Sequence, residues 1–221
     1  MNGLSRGAPR GALSVLVDQS ALNGRGRGIL FQAAESISAD DVNMMAQHGR
    51  GVIGAALTAD RAFALGLSPM SDGRQRANAP QYMASVEAKA CTETGISAAE
   101  RALTLRTLAA ADCNAADLVS PGHIMPAVVP TQAQVDSRIE VLAYHHAARF
   151  NDALAIAWCD ILDASGEVAD ADQCSALAQS LSLPLYIRVG DAAVDYAVFA
   201  KSIQPPSIDV SVGGLDLGQF A

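Results

Sequence analysis

Apolar segments of strand length alternate with helix-length segments along this chain, and that alternation restricts the fold more than any other feature of the sequence. It is typical of α/β and α+β domains, in which helices pack against a sheet. No internal repeat or low-complexity linker interrupts the pattern, and 221 residues are a usual length for one mixed domain. The segments predicted to be strands are residues 12–17, 52–57, 82–88, 154–162 and 184–189.

Two segments open with residues that cap helices. Ser38 is followed three positions later by Asp41, and Ser97 is followed by Glu100 at the same spacing. A serine with an acidic residue at this distance can satisfy two backbone N–H groups at the start of a helix, so helices are predicted after both serines. Further helices are predicted at residues 138–150 and 174–181.

Stretches rich in glycine and proline predict the connections. Residues 23–28 read Asn-Gly-Arg-Gly-Arg-Gly, and residues 69–80 are rich in Gly, Asn, Asp and Arg, so both stretches are predicted to be loops. Two consecutive prolines follow shortly after Ile203. We therefore expect one domain at 1–203 and an extended tail at 204–221.

The charge balance argues against several classes of partner. The net charge is −8 and the isoelectric point about 4.8, so the clustered basic surface of a nucleic-acid-binding protein is not expected. No run approaches the roughly 20 apolar residues of a membrane span, and the apolar run at 12–17 is too short for a secretion signal. Four cysteines without CxxC spacing indicate neither a disulfide framework nor a zinc site. The predicted partner is a small molecule, and the predicted location is the cytoplasm.

Three segments in colinear order carry recognisable motifs. The first contains FQAAE, HGRG, LTADR and LSPM, the second is TGISAAER, and the third is PGHIMP. Together they resemble one family, the 3,4-dihydroxy-2-butanone 4-phosphate synthases of riboflavin biosynthesis. The family's corresponding motifs are AAE, RHGSG, LTEDR and LPPM in the first segment, TTGISAADR in the second and RPGHVFPL in the third. The resemblance covers about residues 12–196, and its segments are 31–35, 48–51, 57–61, 67–70, 94–101 and 121–126.

The resemblance implies a fold, an assembly and a reaction. The implied fold is a single-domain α+β structure, an α/β sandwich, that forms a homodimer with its active sites at the subunit interface. The family's enzymes act on ribulose 5-phosphate: a proton is removed next to the ketone, the carbon skeleton rearranges and formate leaves. Magnesium, held by a glutamate of the acidic loop RENEGD and the histidine of GGHTEA, stabilises the negative oxygens.

This chain departs from the family at both metal-binding motifs. Arg25 and Arg27 fall where the family has the two glutamates of its acidic loop, and Glu140 falls where it has the ligand histidine. A guanidinium cannot ligate magnesium and repels it. We therefore expect no metal site and no cofactor. A site rebuilt from Glu140 and one of the histidines at 145–146 has poor helical spacing, and an interface or surface role for those histidines is favoured.

Two catalytic positions of the family are retained in some form. His123 matches the histidine of PGH, and Asp160 matches a family glutamate used in acid/base work. The resemblance thus makes both catalytic candidates, with a loop histidine bonded to the backbone and a structural ion pair to Arg138 or Arg149 as the alternatives. The side chains expected to bind substrate are Arg25, Arg27, Arg138, Glu140, Tyr82 and Met83.

These observations support a hypothesis and two alternatives. The hypothesis is a divergent, metal-independent enzyme of a specialised biosynthetic pathway, a lyase, isomerase or cyclase that moves protons beside a carbonyl. His123 would be its base or acid, Asp160 its partner or the second proton carrier, and Arg25, Arg27 or Arg138 would hold an anionic oxygen. The first alternative is a non-catalytic pseudoenzyme that pairs with itself or an active relative. The second is a genuine synthase of riboflavin biosynthesis.

Overall fold

The computed structural model describes residues 11–71, 73, 79–131, 138–189 and 195–197. In that part of the chain a mixed sheet carries helices on both faces, which confirms the predicted α+β class and α/β sandwich. The strands are β1 (Ser14–Asp18), β2 (Arg27–Ala33), β3 (Arg50–Thr58), β4 (Gln81–Tyr82), β5 (Val86–Ala88), β6 (Leu118–Val129), β7 (Ala155–Ile161), β8 (Leu185–Arg188) and β9 (Asp195–Ala197). The helices are α1 (Ala39–Met44), α2 (Ala59–Ala64), α3 (Ala98–Ala109), α4 (Ile139–Asn151) and α5 (Ala171–Ser180).

The strand order of the sheet is β4-β6-β3-β7-β2-β1-β8-β9, and β5 pairs with β6 outside this path. β1 runs parallel to β8, and β3 runs parallel to β6. The other pairs are antiparallel. β3, β7 and β2 therefore lie in the middle of the sheet, and side chains at their ends have neighbouring strands on both sides.

Two hydrophobic clusters lie on opposite faces of the sheet. The larger cluster packs α1, α2, α3 and α5 against one face. The smaller cluster packs α4 against the other face, around Phe31 and Trp158. Of the helices in the described residues, α4 alone covers this second face, which leaves part of the sheet open to solvent. Val52 on β3 lies there with 57% of its surface exposed.

The two predicted helix starts are confirmed, with one difference between them. Ser38 and Asp41 form a complete capping box at α1. At α3, the hydroxyl of Ser97 accepts a hydrogen bond from the N–H of Glu100, but the Glu100 carboxylate turns to the preceding loop. Three backbone N–H groups of that loop occupy the carboxylate, so the reciprocal half of the box is replaced by loop contacts.

Two strands differ from the sequence-based expectation, and one predicted strand is divided. β2 begins inside the predicted loop 23–28, because its arginine and glycine residues pair with β1 despite their loop-like composition. β6 carries the prolines and the glycine of the PGH segment, which hide its strand character. The predicted strand 82–88 is split into β4 and β5, both paired with β6.

The remaining elements follow the predictions with shifted ends. The predicted helix 138–150 is α4, with Arg138 as its N-cap residue, and the predicted helix 174–181 begins earlier as α5. Within the described residues, no helix has the length and apolar character needed to cross a bilayer. The predicted boundary at 203 and the tail at 204–221 lie outside the described residues.

Candidate active site

Side-chain alternation brings Asp160 to the face of the sheet that α4 covers. On β7, Trp158 packs in the α4 cluster and Cys159 packs in the opposite cluster, so Asp160 faces the α4 side. Ile29 of β2 is its register partner on one side. On the other side, the ladder between β3 and β7 is irregular between Arg50 and Ile53. Asp160 therefore has strands on both sides, and 26% of its side chain is exposed.

The same alternation places His123 on this face. Val129 of β6 packs in the α4 cluster, and His123 is an even number of residues away on the same strand. β6 pairs with β3 through Met125 and Gly54, and β3 in turn pairs with β7. Two strand spacings therefore separate His123 from Asp160, about 10 Å along the sheet. The two predicted catalytic residues therefore share a face of the sheet.

Asp160 forms an ion pair with Arg27. The guanidinium donates through Nη2 to Oδ1 of Asp160, and about a quarter of each side chain is exposed. The structure gives Arg27 Nε no hydrogen-bond partner among the described residues, although that atom is buried. The ion pair expected for Asp160 as an alternative to catalysis is thus present, but its partner is Arg27 and not Arg138 or Arg149. Arg27 lies on β2, the strand next to β7.

Tyr82 shares the electrostatic environment of this pair. Burial, the Asp160 carboxylate and the Glu140 carboxylate raise the pKa of Tyr82 to about 12, and Arg27 partly offsets them. The phenol therefore stays protonated near neutral pH, as a hydroxyl that can donate a hydrogen bond. β4, the edge strand next to β6, holds Tyr82 in this position through its pairing with Ala127.

Glu140 and Arg138 form a second pair at the start of α4. Nη1 of Arg138 lies 3.6 Å from Oε1 of Glu140, and both side chains are more than nine-tenths buried. The same guanidinium nitrogen donates to the carbonyl oxygen of Ala79 at 3.2 Å. Both carboxylates near Tyr82 therefore have an arginine beside them.

His123 lies beside Glu87, a residue that sequence reasoning does not single out. Nδ1 of His123 is 3.6 Å from Oε2 of Glu87, with 42% and 18% of the two side chains exposed. Glu87 is on β5, which pairs with β6 across an irregular register that turns its side chain toward the histidine. The sequence around Glu87 carries no motif, so only the pairing of β5 with β6 identifies it. In the structure His123 lies beside Glu87, whereas Asp160 contacts Arg27; the prediction that Asp160 is the partner of His123 or the second proton carrier stays a prediction.

The loop before α3 supports the His123–Glu87 pair. Gly95 has φ +75°, and a Cβ there would overlap Oε2 of Glu87 and lie 3.3 Å from Nδ1 of His123. Glu100 holds this loop: its carboxylate accepts hydrogen bonds from the N–H groups of Thr92 at 2.9 Å, Glu93 at 2.8 Å and Gly95 at 2.9 Å. These bonds lower the pKa of Glu100, that from Glu93 most. The TGISAAER segment therefore places glycine backbone directly against the pair.

Two predicted substrate-binding residues lie elsewhere. Arg25 is exposed in a separate groove beside the start of α5, which Asp170 and Asp172 also line. Met83 is buried and packs in the larger hydrophobic cluster. The two histidines of α4 also have contacts away from these residues. Nε2 of His145 lies 2.9 Å from the carbonyl oxygen of Pro130, and His146 packs against Phe31. The structure brings together Arg27, Asp160, Tyr82, Glu140 and Arg138.

Comparison with known proteins identifies the scaffold. A family model described as 3,4-dihydroxy-2-butanone 4-phosphate synthase matches residues 7–191. The chain belongs to this family. A 3,4-dihydroxy-2-butanone 4-phosphate synthase of Oceanobacillus iheyensis is 31% identical over 176 residues, which are 79% of this chain and 84% of that protein. One of Pseudomonas aeruginosa is 38% identical over 117 residues, 53% of this chain. The chain spans only 32% of that protein's length.

Solved structures of the family share the fold. The two-domain synthase RibBX of A. baumannii aligns with a TM-score of 0.72 at 29% identity, over 80% of this chain and 52% of that one. A synthase in complex with two magnesium ions aligns with a TM-score of 0.65 at 26% identity, over 80% of this chain and 87% of that one. The single-domain fold implied by the sequence resemblance is thereby confirmed.

The side chains of this site do not fit magnesium. The family's metal requires anionic oxygen or imidazole ligands, but the residues here are an arginine paired with Asp160 and an arginine beside Glu140. Two fixed positive charges beside two carboxylates leave no net negative charge for a divalent cation. Within the described residues, no three His, Cys, Asp or Glu side chains converge as metal ligands would. We therefore assign no step of the chemistry to a metal.

Proposed function

We propose that this protein is an acid/base enzyme on the dihydroxybutanone-phosphate-synthase scaffold that works without the family's divalent cation. Its substrate is a small carbonyl compound, and its reaction is an isomerisation, cyclisation or elimination that begins with removal of a proton next to the carbonyl. One observation carries the proposal: Asp160 forms an ion pair with Arg27. In the family alignment, Arg27 stands at a position of the acidic loop that holds the metal.

His123 is the group that moves the proton in this proposal. Its ring is exposed enough to meet a substrate, Glu87 lies 3.6 Å from Nδ1, and Nε2 is the ring atom that would accept the proton. The distance of 3.6 Å exceeds a hydrogen bond, and catalytic contacts of this kind shorten when substrate binds. Glu87 is therefore a positioning residue for His123.

Arg27 and Tyr82 stabilise the negative charge that proton removal creates. As the carbon loses its proton, charge develops on the carbonyl oxygen, and N–H and O–H donors in a fixed arrangement lower the energy of that state. The side chain of Arg27 is 29% exposed, and Tyr82 keeps its proton because its pKa is about 12. The substrate would lie across the exposed side chain of Val52, which separates the two polar pairs.

Exchange of hydrogen with solvent tests this function whatever product the reaction forms. The protein, freed of metal with EDTA, is incubated in D2O with ribulose 5-phosphate and with a panel of α-hydroxyketones and 2-keto acids. We expect deuterium at the carbon next to the carbonyl in at least one compound, and a loss of about 100-fold or more in His123→Asn. His145→Asn is the matched control, because His145 of α4 contacts the backbone carbonyl of Pro130 and neither of the two polar pairs. Exchange that is equal in wild type and His123→Asn would contradict the proposal.

A genuine synthase activity is the second candidate, and the comparisons support it. The relatives at 31% and 38% identity are named 3,4-dihydroxy-2-butanone 4-phosphate synthase, and the matching family model carries the same description. Release of formate from ribulose 5-phosphate with magnesium, lost in EDTA, would establish this activity in place of the metal-independent one. We expect no formate above the rate of a buffer control.

Three further expectations remain proposals. The homodimer implied by the family resemblance is tested by the mass of the protein in solution. A cytoplasmic location is tested by fractionation of the producing cells. The non-catalytic alternative predicts no exchange with any compound of the panel, together with a stable complex between this chain and an active family member.

A further inference from the structure

Two carboxylates approach the site from different elements, and each has an arginine of its own. Asp160 on β7 is paired with Arg27 of β2, and Glu140 at the start of α4 lies 3.6 Å from Arg138. Both carboxylates raise the pKa of Tyr82 and Arg27 lowers it, so the tyrosine lies near all three charged groups. The charges of the four residues sum to zero.

We infer that Arg27 is a built-in cation that excludes divalent metal from this site and binds an anionic substrate oxygen in the metal's place. This inference deepens the proposed function and rests on its claim that the site works without metal. The guanidinium neutralises Asp160 permanently, because arginine keeps its proton at every physiological pH. A divalent ion approaching Asp160 would have to displace a covalently attached positive charge that is already in contact with it.

The replacement also narrows the class of ligand. A magnesium ion chelates two neighbouring oxygens, as in a vicinal diol or hydroxyketone. A guanidinium instead donates planar N–H groups, which suit a carboxylate or an enolate oxygen. Nη2 of Arg27 contacts Asp160, and 29% of the Arg27 side chain is exposed, so part of this cation remains open to a ligand. The site therefore favours a ligand with a carboxylate or enolate oxygen over a neutral chelating sugar.

Binding of Mn²⁺ tests this inference without any turnover. Free Mn²⁺ is measured by its paramagnetic resonance signal during titration of wild type, Arg27→Gln, Arg27→Glu and Arg27→Lys. We expect Arg27→Gln to bind Mn²⁺ at least tenfold more tightly than wild type, since it uncovers Asp160, and Arg27→Glu to bind more tightly still. Arg27→Lys keeps the positive charge and is expected to behave like wild type.

Arg106→Gln is the matched control. It removes the same charge, but its guanidinium donates to the carbonyl oxygen of Ile37 rather than to a carboxylate. Its Mn²⁺ affinity should equal that of wild type, and circular dichroism should show all variants folded. The inference is overturned if wild type binds Mn²⁺ as tightly as Arg27→Gln, or if Arg106→Gln gains as much affinity as Arg27→Gln.

The two proposals fail separately. Deuterium exchange that depends on His123, combined with equal Mn²⁺ binding by wild type and Arg27→Gln, would remove the role of Arg27 and leave the acid/base function intact. Tighter Mn²⁺ binding by Arg27→Gln, with no deuterium exchange in any compound, would support the role of Arg27 and contradict the acid/base function.

Discussion

The Arg27–Asp160 pair and the His123–Glu87 pair lie on the same face of one sheet, and they are built differently. The first joins a guanidinium and a carboxylate in direct contact, with 29% and 26% of the side chains exposed. The second leaves its histidine 42% exposed and 3.6 Å from its carboxylate. The first pair is flanked by another ion pair, whereas the second is backed by a glycine loop.

This difference suits the two pairs to different roles in catalysis. Permanent charges in contact hold a fixed electrostatic field, and such a field stabilises a developing anion without reorganisation. A histidine near a carboxylate changes its charge as it accepts or gives a proton, and it needs access to the substrate to do so. The family alignment marks residues of both pairs, but the partner of each residue is seen only in the structure.

The largest effect is expected when the glycine behind the His123–Glu87 pair is given a side chain. Gly95→Ala forces a Cβ into Oε2 of Glu87 and into a left-handed backbone conformation at φ +75°. We expect a loss of about 2 kcal/mol in the free energy of unfolding: about 1 kcal/mol comes from the left-handed backbone, and the rest comes from moving the flexible end of Glu87 away from His123. Thermal and urea denaturation measure it.

Gly166→Ala is the matched control for that prediction. Gly166 has φ +86°, and a Cβ there meets nothing within 4 Å, so only the backbone cost of about 1 kcal/mol is expected. If both variants lose the same stability, the loop does not press on Glu87, and the two polar pairs differ less than the structure indicates.

The buried His146 makes the stability of the protein depend on pH. Burial, and then Arg149, lower the pKa of His146 from 6.5 to about 4. The unfolded chain binds this proton first, so stability is fully present above pH 6.5 and falls as the pH drops toward 4. We expect a loss of about 2 kcal/mol over this range.

His146→Phe should abolish most of that loss, since the ring packs against Phe31 and Tyr186 and phenylalanine has a similar shape. The measurement is the free energy of unfolding in urea between pH 4 and 7. An unchanged slope in this variant would assign the acid sensitivity to another group.

Removal of one charge from the Arg27–Asp160 pair is expected to have a smaller effect. In Asp160→Asn the guanidinium keeps partial access to water, so we expect a loss of about 1 kcal/mol. The pKa of Tyr82 should fall below about 12, because the Asp160 carboxylate is one of its causes. Phenolate absorbance during an alkaline titration measures that shift, and Asp163→Asn, on an exposed turn, is the control. An unchanged Tyr82 titration would contradict the shared environment.

Much of the fold is predictable because its signals are local. Ser38 with Asp41 and Ser97 with Glu100 mark α1 and α3 by their own chemistry. β2 and β6 escape prediction for the opposite reason: their glycine, arginine and proline residues look like loops until the neighbouring strands supply partners. Strand pairing depends on residues far away in the sequence, which local composition does not contain.

The candidate site is predictable only in part. Family resemblance identifies Arg27, His123 and Asp160, and it cannot assign their partners. Arg27 meets Asp160 because β2 and β7 are adjacent, although 133 positions separate them in sequence. Glu87 escapes prediction because it lies outside every recognisable motif. Arg25 lines a separate groove and Met83 packs in the larger hydrophobic cluster, because alignment gives a position in the chain and not a direction in space. Their assignment to the substrate stays a prediction.

The smallest predicted effect concerns the Glu100 carboxylate that holds the loop behind His123 and Glu87. Three backbone N–H groups lower its pKa, so its contribution to the loop is complete above the ordinary value of 4.5 and is lost as the pH falls through the lower folded value. Glu100→Gln keeps one acceptor oxygen and loses the charge. Amide hydrogen exchange at residues 92–95 should therefore rise at pH 7 in this variant, with little change in overall stability.

Glu100→Gln should also affect the two pairs differently, because the loop that Glu100 holds contacts the His123–Glu87 pair through Gly95. We expect the imidazole signals of His123 to shift in Glu100→Gln while the phenolate titration of Tyr82 is unchanged, since Glu100 is not among the causes of the Tyr82 pKa. Glu93→Gln is the control, because it removes an equal charge from the same loop while leaving the carboxylate of Glu100 in place. If Tyr82 responds and His123 does not, the loop acts on the fixed-charge pair, and the assignment of proton transfer to His123 loses its structural support.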